Sequence, residues 1–312
     1  MRRPPSPFGR AVLLARAVGA GWQQHDGERM AAALAFYALF SIAPALLITT
    51  SLLGFWMGAA AAQGQLVSQL MQWMGPEMAA TVLGLVQRAH KPDAELTAAA
   101  VGVATLIWTS TRGFAQLQAA LDVIFDAGKG KGALAGALRQ RALAFTLVIG
   151  LGLLMGISAA LNASISALSR WSEGLLPVPS WLAYGIGDAS SFVTLGIAYT
   201  GVYQLLPRQR APLPDTIVGA LFAAALFTAG RHALGIYLAA ASPGSAYGAS
   251  GSLVVLLLWL YYSALILLLG AEVVATRVRM RRAAATAGEP SGRGSVTVSP
   301  AAPPALNTPP TD

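Results

Sequence analysis

The sequence contains no cysteine, and only 11% of its 312 residues are charged. The absence of cysteine excludes disulfides, zinc–thiolate sites, iron–sulfur clusters and cysteine nucleophiles. A water-soluble domain carries about a quarter charged residues, so the shortage of charge excludes a soluble enzyme. Most of the chain is apolar, since 55% of its residues are hydrophobic and the mean hydropathy is +0.58. We therefore expect a chain that lies in a lipid bilayer.

Long uncharged stretches separate short islands of charge. A helix needs about 20 apolar residues to cross a hydrocarbon layer of about 30 Å. Six stretches approach or exceed this length, at about 30–58, 96–111, 142–168, 181–206, 214–240 and 249–275. The second is the shortest and needs Glu95 or Arg112 to reach the interface from its ends. The sequence therefore predicts an all-α fold with a six-span membrane domain over residues 30–282.

The segments outside these spans have patterns of their own. Residues 1–29 contain an amphipathic stretch that predicts an interfacial helix in a cytoplasmic amino-terminal segment. Apolar residues at helical spacing on both sides of a Gly-Pro pair predict an outer amphipathic hairpin at about 60–92. A similar stripe at about 113–126 predicts an inner elbow helix on the membrane surface. Residues 283–312 are rich in Ala, Gly, Pro, Ser and Thr, which predicts a disordered cytoplasmic tail.

Lysine and arginine are concentrated on one side of the predicted membrane. If the amino terminus is cytoplasmic, 17 of the 21 basic residues fall in inside segments. The excess of arginine over lysine and the abundance of alanine are typical of a GC-rich bacterial genome. Because basic loops stay in the cytoplasm, we expect a bacterial inner-membrane protein with both termini cytoplasmic. The same asymmetry accounts for the net charge of +8, so the basic surplus does not indicate nucleic acid as a partner.

The sequence contains no pattern typical of catalysis or cofactor binding. Its three histidines, His25, His90 and His232, lie on different segments, whereas a metal-dependent nuclease needs several His and Asp ligands together. The glycine-rich segment at 127–136 lacks the residue order of a phosphate-binding loop and a preceding strand. We therefore expect no enzyme activity, no metal, no cofactor and no ATPase within this chain.

Four segments of the chain resemble a known family. They are LAFYALFSIAPALL at 34–47, WTSTRGFAQLQAALDVIFD at 108–126, YQLLPRQRAPLPDTIVGALFAAALF at 203–227 and SAYGASGSLVVLLLWLYYSALILLLGAEVVA at 245–275. In these segments the chain resembles the YihY/BrkB family of bacterial inner-membrane proteins, once mislabelled ribonuclease BN. The resemblance implies six spans with both termini in the cytoplasm, in agreement with the charge asymmetry. It implies no catalytic residues.

Two predicted spans each contain charge, which is costly in a bilayer and typical of a polar interior. Asp188 lies in the fourth span, and Arg231 lies in the fifth beside His232. Both charged residues are roughly 10–13 Å below the outer ends of their spans at 1.5 Å per residue, a depth at which they can pair. One interpretation is a site in which Arg231 and His232 bind an anionic headgroup while Asp188 holds the arginine. The other is a static ion pair.

Three further residues are candidates for a helix kink or a gate. Pro44, near the middle of the first span, removes a helical hydrogen bond at the Phe40 carbonyl, for which the Ser41 hydroxyl can compensate. The resulting kink is either part of a transport path or a packing bend. Glu272, at the cytoplasmic end of the sixth span, is either a solvated interfacial glutamate or a gate contact to Arg112.

Two classes of function fit these features. The leading hypothesis is movement of an amphipathic, anionic, lipid-like envelope molecule across or within the bilayer, with membrane lipids as partners. The alternative is a non-transporting scaffold that docks other envelope proteins through its hairpin, elbow and basic tail. Buried charges at one depth favour the transporter, because a scaffold does not need them.

Overall fold

The computed structural model describes residues 7–58, 76–89, 96–127, 180–241 and 251–288, with isolated positions between them. Within these ranges every regular element is an α-helix, so the predicted all-α class is confirmed for the described part of the chain. Of residues 43–57 and 181–188 only the helical backbone is described. The predicted span at 142–168 and most of the first half of the predicted hairpin lie outside the described residues.

Seven helices are described: α1 Pro7–Gln24, α2 Gly27–Met57, α3 Pro76–Ala89, α4 Leu96–Ile124, α5 Ser180–Leu205, α6 Leu213–Ala241 and α7 Gly251–Gly288. The bounds of α2, α5 and α6 lie within three residues of the predicted spans. The start of α6 has a local cause, because Pro214 in its first turn is preorganised for a helix and needs no hydrogen-bond acceptor. Asp215 in the same turn lies at the positive end of the helix dipole.

The predicted elbow helix does not exist as a separate element. α4 runs without a break from Leu96 to Ile124, so the boundary expected near residue 112 is wrong. The apolar stripe of the expected elbow packs in the main core, where Leu121 is fully buried. α4 ends at Ile124, and two residues later Asp126 adopts the left-handed conformation with φ 52° while Ala127 N–H donates to the Asp122 carbonyl. The stripe is therefore the core-facing side of one long helix.

The predicted start of the disordered tail is also wrong. α7 continues to Gly288, six residues past the expected boundary at 283. The extra turns contain the run Ala283-Ala284-Ala285, and alanine is the strongest helix former. Residues 289–312 of the predicted tail lie outside the described residues.

α7 is the central helix, and it contacts α1, α2, α3, α4 and α6. It crosses α6 closely, where Gly270 faces Gly219 and a Cβ on Gly270 would lie 2.7 Å from the Ala223 Cβ. Such close approach through small residues is typical of helix packing in membranes. The Tyr203 hydroxyl of α5 donates to the Leu267 carbonyl of α7 at 2.7 Å, which joins a third helix to this crossing.

The amphipathic segment at 76–89 is a helix, as the second half of the hairpin prediction requires. Its apolar residues Met78 and Val82 are buried against Ala35 of α2 and Leu256 of α7. α3 therefore docks on the bundle through its apolar stripe.

Large apolar side chains are exposed along the outer faces of α6 and α7, among them Ile217, Leu221, Phe222, Leu253, Leu257 and Leu258. Within the described residues, the segments Leu213–Tyr237 and Leu253–Thr286 are long and apolar enough to cross a membrane. An apolar surface of this extent is unusual on a water-soluble monomer, whereas a bilayer covers it at no cost. The predicted number of six spans goes beyond these two helices and stays a prediction.

Candidate functional site

An apolar cavity of about 330 Å³ lies between α2, α4, α5 and α7. Leu34 of α2, Phe114 of α4, Tyr199 of α5 and Leu260 and Leu267 of α7 form part of its wall. Its volume is at the lower end of the roughly 300–1,000 Å³ of pockets that hold small molecules. The cavity is therefore large enough for part of an apolar ligand.

Five residues with hydroxyl groups line the cavity, namely Tyr37, Ser41, Thr109, Tyr199 and Ser263. Three of these hydroxyls donate to the backbone of their own helix. The bonds are Ser41 Oγ to the Ala38 carbonyl at 3.0 Å, Thr109 Oγ1 to the Thr105 carbonyl at 2.8 Å, and Ser263 Oγ to the Trp259 carbonyl at 2.8 Å. Because these protons are used within the helices, the wall presents mainly hydrocarbon to the cavity. This chemistry suits an acyl chain better than a polar molecule.

The Ser41 hydroxyl does not make the hydrogen bond that was predicted for it. It bonds to Ala38 rather than to the Phe40 carbonyl that Pro44 leaves without a helical partner, because the reach of a serine hydroxyl favours the carbonyl three or four residues before it. The α2 backbone is helical on both sides of Pro44, whose side chain lies outside the described residues. Its role in a kink or gate stays a prediction.

Arg231 is half-buried near the carboxyl end of α6, and His232 next to it is exposed. The Tyr262 hydroxyl of α7 donates to the Leu226 carbonyl at 2.8 Å, so this part of α6 lies beside the middle of α7. Neither Arg231 nor His232 lines the apolar cavity. The backbone of Asp188 is part of α5, but its side chain is not described. Its pairing with Arg231 therefore stays a prediction.

Glu272 is fully buried where α1 docks on α7, which differs from the solvated glutamate considered above. His25 Nδ1 lies 2.9 Å from its Oε2, and Arg279 Nη2 donates to its Oε1. Thr276 Oγ1 lies a further 3.4 Å from Oε1. Glu272 therefore connects the α1–α2 junction to the last helix.

The expected gate contact between Glu272 and Arg112 is not formed. Arg112 is exposed on α4, and its guanidinium carbon lies 6.0 Å from the centre of the Trp108 ring, at the outer limit of a cation–π contact. His25 and Arg279 occupy the two carboxylate oxygens of Glu272 instead.

Gly21 of α1 gives the Glu272 carboxylate its space. A Cβ on Gly21 would lie 2.9 Å from the Glu272 Cδ and 3.2 Å from Arg279 Nη2, too close for any larger residue without movement. Sequence reasoning missed this cluster, because His25 and Glu272 are 247 positions apart and no pattern links them.

A second buried carboxylate, Asp215, connects the start of α6 to α7. Its side chain has no exposed area, and Arg277 Nε donates to its Oδ1 at 3.1 Å. Arg281 Nη1 lies 3.1 Å from Oδ2 without hydrogen-bond geometry, so its contribution is an ion pair. Two arginines of α7 thus compensate one buried acid.

A third ion pair joins α4 to the turn between α5 and α6. The Arg208 backbone N–H donates to Asp122 Oδ1 at 2.9 Å, and Arg208 Nε lies 3.3 Å from Oδ2. Burial raises the pKa of the Asp122 carboxyl above its usual range, while the N–H and guanidinium of Arg208 oppose this shift. All three acids lie at the end of the bundle that is predicted to be cytoplasmic.

Long helices with exposed apolar faces, an apolar cavity between them and ion pairs at one end are the architecture of an integral membrane protein. A family model described as "Virulence factor BrkB" matches residues 18–295. The match covers most of the chain, so the chain belongs to this family of membrane proteins. The resemblance that the sequence motifs indicate is thereby confirmed.

Curated relatives carry the name "UPF0761 membrane protein". One from Halorhodospira halophila is 28% identical over 253 residues, which are 80% of this chain and 54% of the relative. One from Rhodospirillum centenum is 28% identical over 298 residues, 94% of this chain and 63% of the relative. The chain therefore spans between about half and two thirds of the length of these relatives. No solved structure matches the chain.

Proposed function

We propose that this membrane protein moves an amphipathic, anionic, lipid-like envelope molecule across or within the bilayer of the bacterial inner membrane. The observation that carries the proposal is the apolar cavity between α2, α4, α5 and α7. Since most of its lining residues are apolar and three of its wall hydroxyls donate to their own helices, the cavity offers an acyl chain a hydrocarbon surface. The chain has no nucleotide-binding motif, so we expect movement that needs no ATP hydrolysis by this protein.

In this proposal the headgroup binds near Arg231 and His232, with Asp188 as the acid that holds the arginine. The half-burial of Arg231 within an apolar helix supports this assignment, because an arginine at such a position usually serves a site or a pair. The cytoplasmic location of both termini is part of the same proposal, and the distribution of basic residues supports it.

Lipid exchange in reconstituted vesicles tests the proposed function. The full chain is inserted into liposomes that contain a trace of fluorescent phosphatidylglycerol, and dithionite then reduces the label in the outer leaflet. We expect loss of the protected inner-leaflet fluorescence in vesicles with protein. Equal protection in vesicles with and without protein would contradict transport and favour the scaffold.

A substitution that fills the cavity links the activity to the site. Ala264 lines the cavity on α7, and Ala264→Phe places a ring in the space for the acyl chain. Ala225 is exposed on α6 and outside the cavity, so Ala225→Phe is the matched control. We expect exchange in the Ala264 variant to be slower by a factor of about ten, equivalent to about 1.4 kcal/mol of lost binding.

The headgroup assignment has its own variant. If Arg231→Ala exchanges lipid as fast as the wild type while Ala264→Phe is slow, the assignment of Arg231 is wrong and the cavity remains the site. If both phenylalanine variants behave like the wild type, the cavity is not the path.

A further inference from the structure

A pocket rich in arginine opens at the end of the bundle where the ion pairs lie. It is formed by the carboxyl end of α4, the turn between α5 and α6, and the last turns of α7. Arg210 on the turn and Arg279 and Arg282 on α7 line it, together with one acid, Asp126. We call this the basic pocket.

The arginines of the basic pocket differ in how they are compensated. Arg279 contacts the carboxylates of Glu272 and Asp126. Arg210 and Arg282 are exposed, and among the described side chains neither has a carboxylate within the 4.0 Å of an ion pair. Asp126 itself is 65% exposed and lies 3.4 Å from Arg279 Nη1, a long contact. The pocket therefore carries a local excess of positive charge.

We propose that the basic pocket binds a phosphate group through the three arginines that line it, Arg210, Arg279 and Arg282. Guanidinium groups suit phosphate because their parallel N–H donors match pairs of its oxygens. The enclosed volume is only about 20 Å³, so the phosphate lies at the mouth of the pocket and displaces the Asp126 carboxylate from Arg279.

Two sources present this chemistry, the headgroup of a phospholipid and free phosphate. The pocket lies where α7 changes from an apolar run to the basic segment that begins at Arg277, and headgroups of an anionic leaflet attract basic residues at such a place. Phe125 and Val278 also line it and give the aliphatic part of a headgroup an apolar contact. The inference does not depend on the proposed transport, because a static scaffold can bind phosphate at the same place.

The test measures binding to the purified full chain in an uncharged detergent by isothermal titration calorimetry. The probes are dihexanoyl phosphatidylglycerol, inorganic phosphate and dihexanoyl glycerol, which lacks phosphate. We expect the phosphatidylglycerol to bind and the glyceride not to bind. Arg210→Gln and Arg282→Gln should each weaken binding about fivefold, the contribution of one basic residue near anionic lipid.

Two further variants make the test specific. Arg16→Gln removes the same charge from an exposed position on α1 and should leave binding unchanged. Asp126→Asn should strengthen binding, because it removes the acid that competes for Arg279. Asparagine tolerates the left-handed conformation of residue 126, so this variant keeps the backbone.

Each outcome decides for or against the site. If inorganic phosphate binds and the variants change its binding in the same way, the pocket is a site for free phosphate. If only the phospholipid binds, the pocket is a site for a lipid headgroup. The proposal is wrong if neither phosphate probe binds, if the glyceride binds as tightly as the phospholipid, or if Arg16→Gln weakens binding as much as Arg282→Gln.

Discussion

Removal of the Glu272 carboxylate should detach α1 from the rest of the bundle. The substitution Glu272→Ala leaves the His25 ring and the Arg279 guanidinium beside Gly21 without their common acceptor. Because α1 docks on α7 at this cluster, the loss falls on a single helix contact. The consequence is local opening of the amino-terminal helix rather than unfolding of the bundle.

The size of the effect follows from the burial of the cluster. Breaking a buried ion pair by removing one partner costs about 3–5 kcal/mol. Glu272 has no exposed area, but the Arg279 side chain is 37% exposed and keeps Asp126 as a second partner. We therefore expect the lower end of the range, about 3 kcal/mol, which corresponds to a change on the order of 100-fold in the opening equilibrium of α1.

Hydrogen exchange followed by mass spectrometry measures this opening in detergent micelles. Amides of residues 7–24 should exchange on the order of 100-fold faster in Glu272→Ala, while those of α6 keep their rates. Asp26→Asn is the control, since it removes the charge of the nearby Asp26–Arg29 pair, whose side chains are 56% and 83% exposed. Asparagine tolerates the left-handed conformation of residue 26. An exposed pair contributes less than about 1 kcal/mol, so the control should change exchange by less than about fivefold.

Three results would refute the reasoning about Glu272. The carboxylate does not hold the helix if α1 in Glu272→Ala exchanges at the rate of the wild type or at the rate of Asp26→Asn. If the amide exchange rate rises equally in all helices, the cluster supports the whole fold and docking of α1 is not its specific role.

Two further predictions concern helix packing and pH. Gly270→Ala should lower stability by about 1–3 kcal/mol, because the new Cβ would overlap the buried Tyr203 hydroxyl and lie 2.7 Å from the Ala223 Cβ. Gly19→Ala, where no atom lies within 4 Å, should be neutral or stabilising, and equal thermal unfolding of the two variants contradicts the close crossing. Asp122→Asn keeps an acceptor for the Arg208 N–H. Because burial raises the pKa of Asp122 in the folded state, the wild type should lose stability relative to this variant as pH rises from about 4 through the raised pKa; a constant difference refutes this.

The helices of the bundle could be predicted where an uncharged run has only one stable form in a bilayer. α2, α5 and α6 begin and end close to the predicted bounds, because a lipid-exposed backbone must satisfy its hydrogen bonds internally. The elbow prediction was wrong for a physical reason. A stripe of apolar residues at helical spacing looks the same on a helix that lies on a membrane and on one that packs in a core, and only the partner decides.

The buried charge clusters could not be predicted, because their members come from distant parts of the chain. Glu272 looked interfacial from its place at the end of an apolar run, but its partners His25 and Arg279 belong to the α1–α2 junction and to a later turn of α7. The required space at Gly21 is equally invisible, since a glycine in an amphipathic helix has no pattern that marks it as a contact. Only the structure therefore shows which of these residues contact each other.

The basic residues at the predicted cytoplasmic end serve two different purposes that a count does not separate. Arg277, Arg279 and Arg281 compensate buried acids, so they would be needed in any membrane orientation. Arg210 and Arg282 have no such acid among the described side chains, yet they share one pocket. If topology alone required them, any positions in the inside segments would serve, and their convergence on one pocket would have no cause. A phosphate ligand supplies that cause, because it needs cations at a fixed place rather than on a given side.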